Sequence, residues 1–294
     1  MTTTPDRLAA ELVLDAHARL GEGPFWDEAT GRLGWVDILE CAVHWFDPAT
    51  GEDLAVDVGQ HVGAAVPRAG GGLVLAVAGG FALLDDDGTV TPVADVTKPG
   101  LRMNDGKVDP RGRFLAGSMA YDESPGAGSL YRLDPDRSVH TLVEGVTVSN
   151  GLAWTADGGT LYYIDTPTRG VDAFDYDLDG GTVANRRRAF AIPEEHGFPD
   201  GMTIDDEGHL WVAFWGGWAV RRYATDGTPL AVIELPVSQV TSCAFGGADR
   251  GDLYITCATA TADDAAGDTE QPHAGGVFRC RPGVTGPAAT PAAI

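Results

Sequence analysis

The amino-acid sequence predicts an all-β fold, a six-bladed β-propeller with four-stranded antiparallel blades. Three observations lead to this prediction. The chain repeats itself six times, each repeat carries short alternating segments separated by turns, and outside DRLAAELV no segment shows helical periodicity over ten or more residues. Glycine accounts for 40 of the 294 residues, about twice its usual share. That abundance is typical of a chain with many turns.

The repeats follow one another every 40 to 50 residues. Each copy opens with a small or polar residue and an apolar run, passes through an acidic turn with glycine, and continues into an apolar or aromatic strand. The copies begin at Gly23, Ala64, Asn104, Asn150, Asp200 and Ser242. A period of this length, with several short strands in each unit, indicates propeller blades.

The strands of a blade can be read most clearly in the fifth copy. GMTID, HLWVAFW, AVRRYA and PLAVIEL alternate β-branched and aromatic residues with others, and DDEG and TDG separate them as turns. The N-terminal ELVLDAHARL also alternates but has no blade of its own. We expect it to supply the outer strand of the last blade and so to close the ring, which removes free sheet edges.

Residues 1–294 are expected to form one domain. The first eight residues and the Pro/Ala-rich segment 283–294 are expected to be loose tails. The acidic segment 261–276 is too long for a hairpin turn and is expected to be a surface loop, without an assigned role.

Composition excludes several classes of partner. Lys plus Arg is 20 and Asp plus Glu is 43, which gives a formal charge of −23, so nucleic acid and anionic membranes would be repelled. No apolar run approaches the roughly 18 residues of a spanning helix, and the start of the chain lacks the pattern of a secretory signal. We therefore expect a cytoplasmic protein with no obligate protein partner. The four cysteines are far apart in sequence, as packed and reduced thiols would be.

Polar residues recur at one phase of the repeat. Glu22, Asn104, Asn150 and Asp200 stand at or beside the openings of four copies, where the first strand of a blade lines the central channel. Two carboxylates and two carboxamides are oxygen ligands of the kind that a hard divalent cation prefers. Asn-Gly and Asp-Gly are also ordinary turn dipeptides, so each of these residues alone could be a turn former.

The segments GEGPFW, RMNDGKVDPRGRFLAGSM, SNGLAWTADGGTLYYID, FPDGMTIDDEGHLWVAFW and PHAGGVF resemble, in this order, the SMP-30/gluconolactonase/regucalcin family. The resemblance implies a six-bladed propeller that hydrolyses sugar lactones with a bound metal. It implies that Glu22, Asn150 and Asp200 bind the metal and that Arg102 and Asn104 contact the substrate.

One loop departs from the family pattern. After GSM some members carry an acidic pair, whereas this sequence has Tyr121 and Asp122, which we take as substrate contacts that alter substrate preference.

The predicted reaction is hydrolysis of a 1,4- or 1,5-sugar lactone with one divalent metal ion. Ca²⁺ is preferred, and Zn²⁺, Mn²⁺ and Mg²⁺ stay open. Asp200 either accepts the proton of the attacking water or orients a water that the cation activates. The alternatives are a non-catalytic calcium-binding or scaffold propeller and a related esterase or phosphotriesterase.

Overall fold

Each of the six repeats folds into one antiparallel sheet, which confirms the predicted six-bladed propeller. The computed structural model describes residues 4–259 and 271–294. Blades I to IV each contain four consecutive strands, and blades V and VI each take one strand from the start of the chain. In this part of the chain the only helical segments are two 3₁₀ turns, Thr166–Thr168 and Glu194–His196.

The strands are short, as the turn spacing predicts, and they are numbered in chain order. The two N-terminal strands and those of blades I to III are β1 Asp6–Ala9, β2 Glu11–Leu14, β3 Gly21–Asp27, β4 Arg32–Asp37, β5 Ala42–Phe46, β6 Asp53–Asp57, β7 Val62–Pro67, β8 Leu73–Val77, β9 Gly80–Leu84, β10 Val90–Asp95, β11 Leu101–Val108, β12 Phe114–Ala120, β13 Gly128–Leu133 and β14 Val139–Val146.

Blades IV to VI complete the ring. Their strands are β15 Ser149–Trp154, β16 Thr160–Asp165, β17 Gly170–Asp177, β18 Thr182–Ala191, β19 Phe198–Ile204, β20 Leu210–Trp215, β21 Ala219–Tyr223, β22 Pro229–Glu234, β23 Val240–Gly246, β24 Asp252–Cys257 and β25 Val277–Cys280. The inner strands are β3, β7, β11, β15, β19 and β23. Apolar side chains fill the space between neighbouring blades, with Trp35 and Trp211 among the largest that are fully buried.

The acidic turns join the first and second strands of the blades. In blade V, Oδ1 of Asp205 accepts hydrogen bonds from the backbone N–H groups of Glu207 and His209, at 3.0 and 2.9 Å. Asp109 accepts from backbone groups in the same way in blade III. A side chain that satisfies the backbone of its own turn explains why an acidic residue recurs at this phase.

The N-terminal segment closes the ring as predicted and also adds a strand to blade V. Strand β2 pairs antiparallel with β25 and completes blade VI. Strand β1 pairs parallel with β22 and adds a fifth strand to blade V. The expectation of a loose tail was therefore wrong for residues 6–8, because the outer edge of blade V offers free backbone groups that the strand satisfies.

The C-terminal segment is also held in place, contrary to the expectation of a loose tail. Thr285 bonds Asp206 through both its backbone carbonyl and its hydroxyl, at 2.8 and 2.6 Å. At the other end the N–H of Ala292 donates to the Pro67 carbonyl over 2.8 Å, and Ala292 is fully buried. Small side chains let this segment lie against the blade ends, where its residues 287–290 line one end of the channel cavity.

The structure bears on three further expectations, which concern the cysteines, the long acidic loop and membrane-spanning helices. The four cysteines are free thiols, three of them buried. Residues 261–270, the larger part of the expected surface loop 261–276, lie outside the described residues. No helix in the described ranges is long and apolar enough to cross a membrane.

Candidate active site

The inner strands of neighbouring blades approach each other closely at one level of the channel. The amide of Asn104 in blade III bonds both the Ser149 carbonyl and Asn150 in blade IV. The Thr241 hydroxyl in blade VI donates to the Gly21 carbonyl in blade I over 2.5 Å. These contacts place the predicted site residues of different blades at the same level.

Glycines allow the inner strands of blades IV and V, and those of blades V and VI, to approach each other closely. A Cβ atom added to Gly151 would lie 2.9 Å from the backbone oxygen of Asp200, and one added to Gly201 would lie 2.1 Å from the Ser242 hydroxyl. The Asn-Gly and Asp-Gly dipeptides therefore lie inside strands β15 and β19, where glycine admits the neighbouring blade. The alternative that they are turn formers is wrong at these positions.

Every inner strand carries a register irregularity at this level. The shifts fall between Glu22 and Phe25, Val62 and Ala64, Met103 and Gly106, Asn150 and Leu152, Pro199 and Met202, and Val240 and Ser242. A β-bulge breaks the strict alternation of side chains and re-aims the residue beside it. A bulge in every inner strand explains how polar side chains point toward the channel while the apolar side chains that follow point toward the neighbouring blades.

Two of the gathered residues are buried carboxylates. Burial raises the pKa of Glu22 from its ordinary 4.5 to about 8, and the negative charge of Asp105 contributes to the rise. Burial also raises the pKa of Asp200 well above its usual range, with the charge of Glu22 as the next cause. The two carboxylates therefore lie close enough to repel each other, and this repulsion opposes ionisation of both.

This pair fits a divalent cation in its chemistry. Within 4.0 Å no basic side chain of the described residues pairs with Glu22 or Asp200. Two ionised carboxylates would balance a charge of +2. No three His, Cys, Asp or Glu side chains of residues 4–259 and 271–294 are grouped to hold a metal by themselves, so a site here needs the amide oxygen of Asn150 as its third protein ligand.

Asn150 and Asn104 belong to one chain of hydrogen bonds. Arg102 donates from Nη1 to Oδ1 of Asn104 over 2.6 Å, and Nδ2 of Asn104 donates to Oδ1 of Asn150 over 2.9 Å. Nδ2 of Asn104 also donates to the Ser149 carbonyl over 2.8 Å. Both amide protons of Asn104 are thus used within the protein, and only its Oδ1 keeps a lone pair for a substrate hydroxyl.

Arg102 keeps most of its donors available. Nη1 bonds the Met103 carbonyl and Asn104, whereas Nε and Nη2 bond no other described residue. Burial lowers the pKa of the guanidinium, while the nearby Tyr121, Glu22 and Asp200 raise it. Arg102 therefore lies within electrostatic reach of both carboxylates and presents its remaining N–H groups beside them.

Tyr121 lies at the same mouth, and Asp122 does not. Tyr121 is 51% exposed, and its hydroxyl lies 2.9 Å from Nδ1 of His61. Asp122 instead accepts hydrogen bonds from the backbone N–H and the hydroxyl of Ser124, at 3.1 and 2.6 Å. The structure brings Tyr121 together with Arg102, and it leaves the Asp122 carboxylate bound in its own turn.

Sequence reasoning missed two charged residues beside the site. Asp105 is 6% exposed, and its charge is among the causes that raise the pKa of Glu22 and of Asp200. Lys107 lies near Asp105, and burial lowers the pKa of its ammonium group. The signal was present as the charged residues of NDGK, but strict alternation places Asp105 on the face opposite to Asn104 and gives no warning of the bulge between Met103 and Gly106.

Comparison with known proteins agrees with this architecture. A family model described as SMP-30/Gluconolactonase/LRE-like region matches residues 20–259. Regucalcin of Xenopus laevis is 41% identical over 278 residues, which cover 92% of this chain and 93% of that protein.

Two solved structures are similar over almost the whole length. One is a protein of Agrobacterium tumefaciens described as a calcium-binding protein, regucalcin. It has a TM-score of 0.92 and 31% identity, and the match covers 99% of both chains. A luciferin-regenerating enzyme has a TM-score of 0.90 and 35% identity, with 96% of this chain and 98% of that chain covered. The chain belongs to the SMP-30/gluconolactonase/LRE-like family.

Proposed function

We propose that this protein hydrolyses a sugar lactone to the hydroxy acid, with one divalent cation held by Glu22, Asn150 and Asp200. The observation that carries the proposal is the pair of buried carboxylates, Glu22 and Asp200, which have no basic partner within 4.0 Å among the described residues. A protein gathers two such groups at a cost in desolvation and repulsion. A cation that both carboxylates bind offsets this cost.

The cation, when bound, polarises the lactone carbonyl and stabilises the negative charge that develops on its oxygen. Asp200 accepts a proton from the attacking water through an oxygen that does not bind the cation, because a carboxylate oxygen bound to a cation is a weaker base than a free one. The water oxygen bonds to the carbonyl carbon, and the ring C–O bond breaks. The released alkoxide takes up the proton from Asp200, and the new carboxylic acid loses its proton to solvent, which leaves a carboxylate and a free hydroxyl.

The substrate end of the site is Arg102 with its neighbours. The Nε and Nη2 groups of Arg102 are suited to donate to a ring oxygen or to hydroxyl groups of the substrate. Oδ1 of Asn104 can accept a hydrogen bond from a hydroxyl at the same point. Tyr121 adds an exposed aromatic ring at the mouth, against which the C–H face of a sugar can pack. Asp122 stays a proposed contact only for a substrate long enough to reach its turn.

A second candidate function is calcium binding without catalysis. The Agrobacterium tumefaciens relative is described as a calcium-binding protein, and a cation site alone would explain the carboxylate pair. An esterase or phosphotriesterase reaction is the nearest catalytic variant, because the same arrangement would stabilise a phosphoryl oxygen.

The test is proton release from a panel of 1,4- and 1,5-sugar lactones by protein stripped with chelator and then restored with Ca²⁺, Mn²⁺, Zn²⁺ or Mg²⁺. We expect the rate to disappear on stripping and to return with one of these ions. The Asp200→Asn variant should lose at least about a hundredfold in kcat, the low end of general-base catalysis. The exposed Asp122→Asn variant serves as a comparison and should keep most of the rate on small lactones.

The outcomes separate the candidates. Metal binding without turnover of any lactone would favour the calcium-binding function, with phosphotriesters as the next substrates to assay. Normal turnover by Asp200→Asn would remove Asp200 as the base.

A further inference from the structure

Thr166 stands between two of the proposed metal ligands. It opens the 3₁₀ turn Thr166–Thr168, directly after β16 of blade IV. Its hydroxyl donates to the backbone carbonyl of Pro199 over 2.8 Å, and the side-chain nitrogen of Asn150 donates to the same hydroxyl over 2.8 Å. Pro199 immediately precedes Asp200 in β19. One hydroxyl therefore connects the strand that carries Asn150 with the strand that carries Asp200.

The single proton of a hydroxyl decides the direction of these bonds. Because Thr166 uses its proton on the Pro199 carbonyl, which can only accept, its oxygen must accept from Asn150. The group of Asn150 that faces Thr166 is therefore the NH₂ group, and the Oδ1 atom lies on the opposite edge of the planar amide. The Nδ2 group of Asn104 contacts that oxygen over 2.9 Å, which agrees with the same assignment.

An amide that is free to rotate would offer a cation its oxygen in one orientation and its NH₂ group in the other. Only the oxygen is a ligand, since an amide nitrogen has no lone pair available. The bond to Thr166 excludes the second orientation, because two hydrogen-bond acceptors would then face each other. Groups that orient a ligand in this way contribute about 10- to 100-fold to metal affinity in other proteins.

We infer that Thr166 is a positioning residue that fixes the amide of Asn150 with its oxygen available to the cation and holds β15 against β19. The inference rests on the proposed function, because it assumes that Asn150 and Asp200 bind the same ion. Thr166 itself binds neither the ion nor the substrate.

The experiment compares three variants of the full chain. Thr166→Val keeps the shape and removes the hydroxyl, and Thr166→Ser keeps the hydroxyl. Thr97→Val is the matched control, because the Thr97 hydroxyl donates to the Ala78 carbonyl over 2.7 Å in blade II, which carries none of the proposed metal ligands. The measurements are the calorimetric Kd for Ca²⁺ and for Mn²⁺ and the melting temperature of each metal-free protein.

We expect Thr166→Val to bind both ions about 10- to 100-fold more weakly than the wild type, and Thr166→Ser and Thr97→Val to stay within about threefold. Excess metal should restore most of the lactone turnover of Thr166→Val, since the lesion is in metal affinity. A purely structural role would lower the melting temperature without this restoration.

Equal affinity of Thr166→Val and the wild type would overturn the inference and leave the proposed function in place. If the wild type itself bound no divalent ion, the proposed function would fail, and the inference with it. Should Thr166→Val not fold, Thr166→Ala against Thr166→Ser decides by the same criterion.

Discussion

Lys107 in blade III donates a hydrogen bond to the backbone carbonyl of Met202 in blade V over 2.6 Å. The two blades are not neighbours in the ring, so the side chain reaches past the inner strand of blade IV. Burial raises the pKa of Asp105, and the nearby ammonium group of Lys107 partly offsets this rise. Lys107 thus links two inner strands and supplies a positive charge to Asp105.

We predict that Lys107→Met destabilises the protein by about 3 kcal/mol, because Asp105 would keep its burial and lose its nearest cation. Lys98 is the only other lysine of the sequence and is exposed, so Lys98→Met is the control and should change stability by less than about 0.5 kcal/mol. Urea unfolding measures both. The double variant Lys107→Met/Asp105→Asn should recover part of the loss, and a double variant no more stable than Lys107→Met would show that Asp105 is not the reason.

The stability of the metal-free protein should fall as the pH rises from about 4.5 to about 8. In this range the folded protein keeps a proton on Glu22, whose pKa is raised to about 8, while the unfolded chain has released it. The folded state therefore binds more protons, and its advantage is lost as the pH passes the folded pKa. The loss amounts to at most about 5 kcal/mol for Glu22.

Glu22→Gln should flatten this profile, because it removes one titrating group and the charge that contributes most to raising the pKa of Asp200. Melting temperatures in chelator between pH 5 and pH 9 measure the effect, with the exposed Glu144→Gln as control. Saturating Ca²⁺ should also flatten the wild-type profile. Parallel curves for Glu22→Gln and the wild type would contradict the assignment.

Arg102→Lys should lower kcat/KM for sugar lactones by about 10- to 100-fold while leaving metal affinity within about threefold. A lysine can replace one of the two Nη1 hydrogen bonds but cannot also present the flat Nε and Nη2 edge. Arg187→Lys, at an exposed ion pair with Asp175, is the matched control. Steady-state kinetics and calorimetry separate the two effects, and a loss of metal affinity equal to the loss of kcat/KM would indicate that Arg102 acts on the cation site instead.

Gly201→Ala should destabilise the protein by about 1–3 kcal/mol, because the added carbon would lie 2.1 Å from the Ser242 hydroxyl and 2.8 Å from the Ser242 Cα. Blades V and VI would have to separate at the level of Asp200, so metal affinity should fall as well. Gly70→Ala meets no atom within 4 Å and should change stability by less than about 0.5 kcal/mol. Thermal unfolding and calorimetry provide the comparison; unchanged values for Gly201→Ala would show that the blades tolerate a wider spacing.

The ring and the grouping of the proposed site residues could be predicted because both follow from repetition. Residues at one phase of a repeat occupy equivalent places in successive blades, so Glu22, Asn150 and Asp200 were gathered by sequence alone. The family resemblance selected the same residues and added Arg102, for which the repeat gives no signal.

The remaining features depend on contacts between distant segments. Asp105 and Lys107 escaped notice because Asp105 lies in a bulge that no local pattern predicts, and Lys107 follows it on the same face of the strand. The ends of the chain have the composition of tails, yet Ala292 is fully buried and β1 occupies the edge of blade V. Composition predicts the tendency of a segment to be loose, and a free sheet edge elsewhere in the molecule overrides it.

The pairing of β2 with β25 sets the order in which the molecule can be completed. Glu11 and Arg279 form an ion pair across these two strands and are 268 positions apart in sequence. During synthesis β2 has no partner until the last blade has left the ribosome, and it must stay unpaired through most of translation. Folding that depends on contacts of such separation is slow, and a chain shortened by its final blade would leave β2 without a partner and expose the apolar faces of blades I and V.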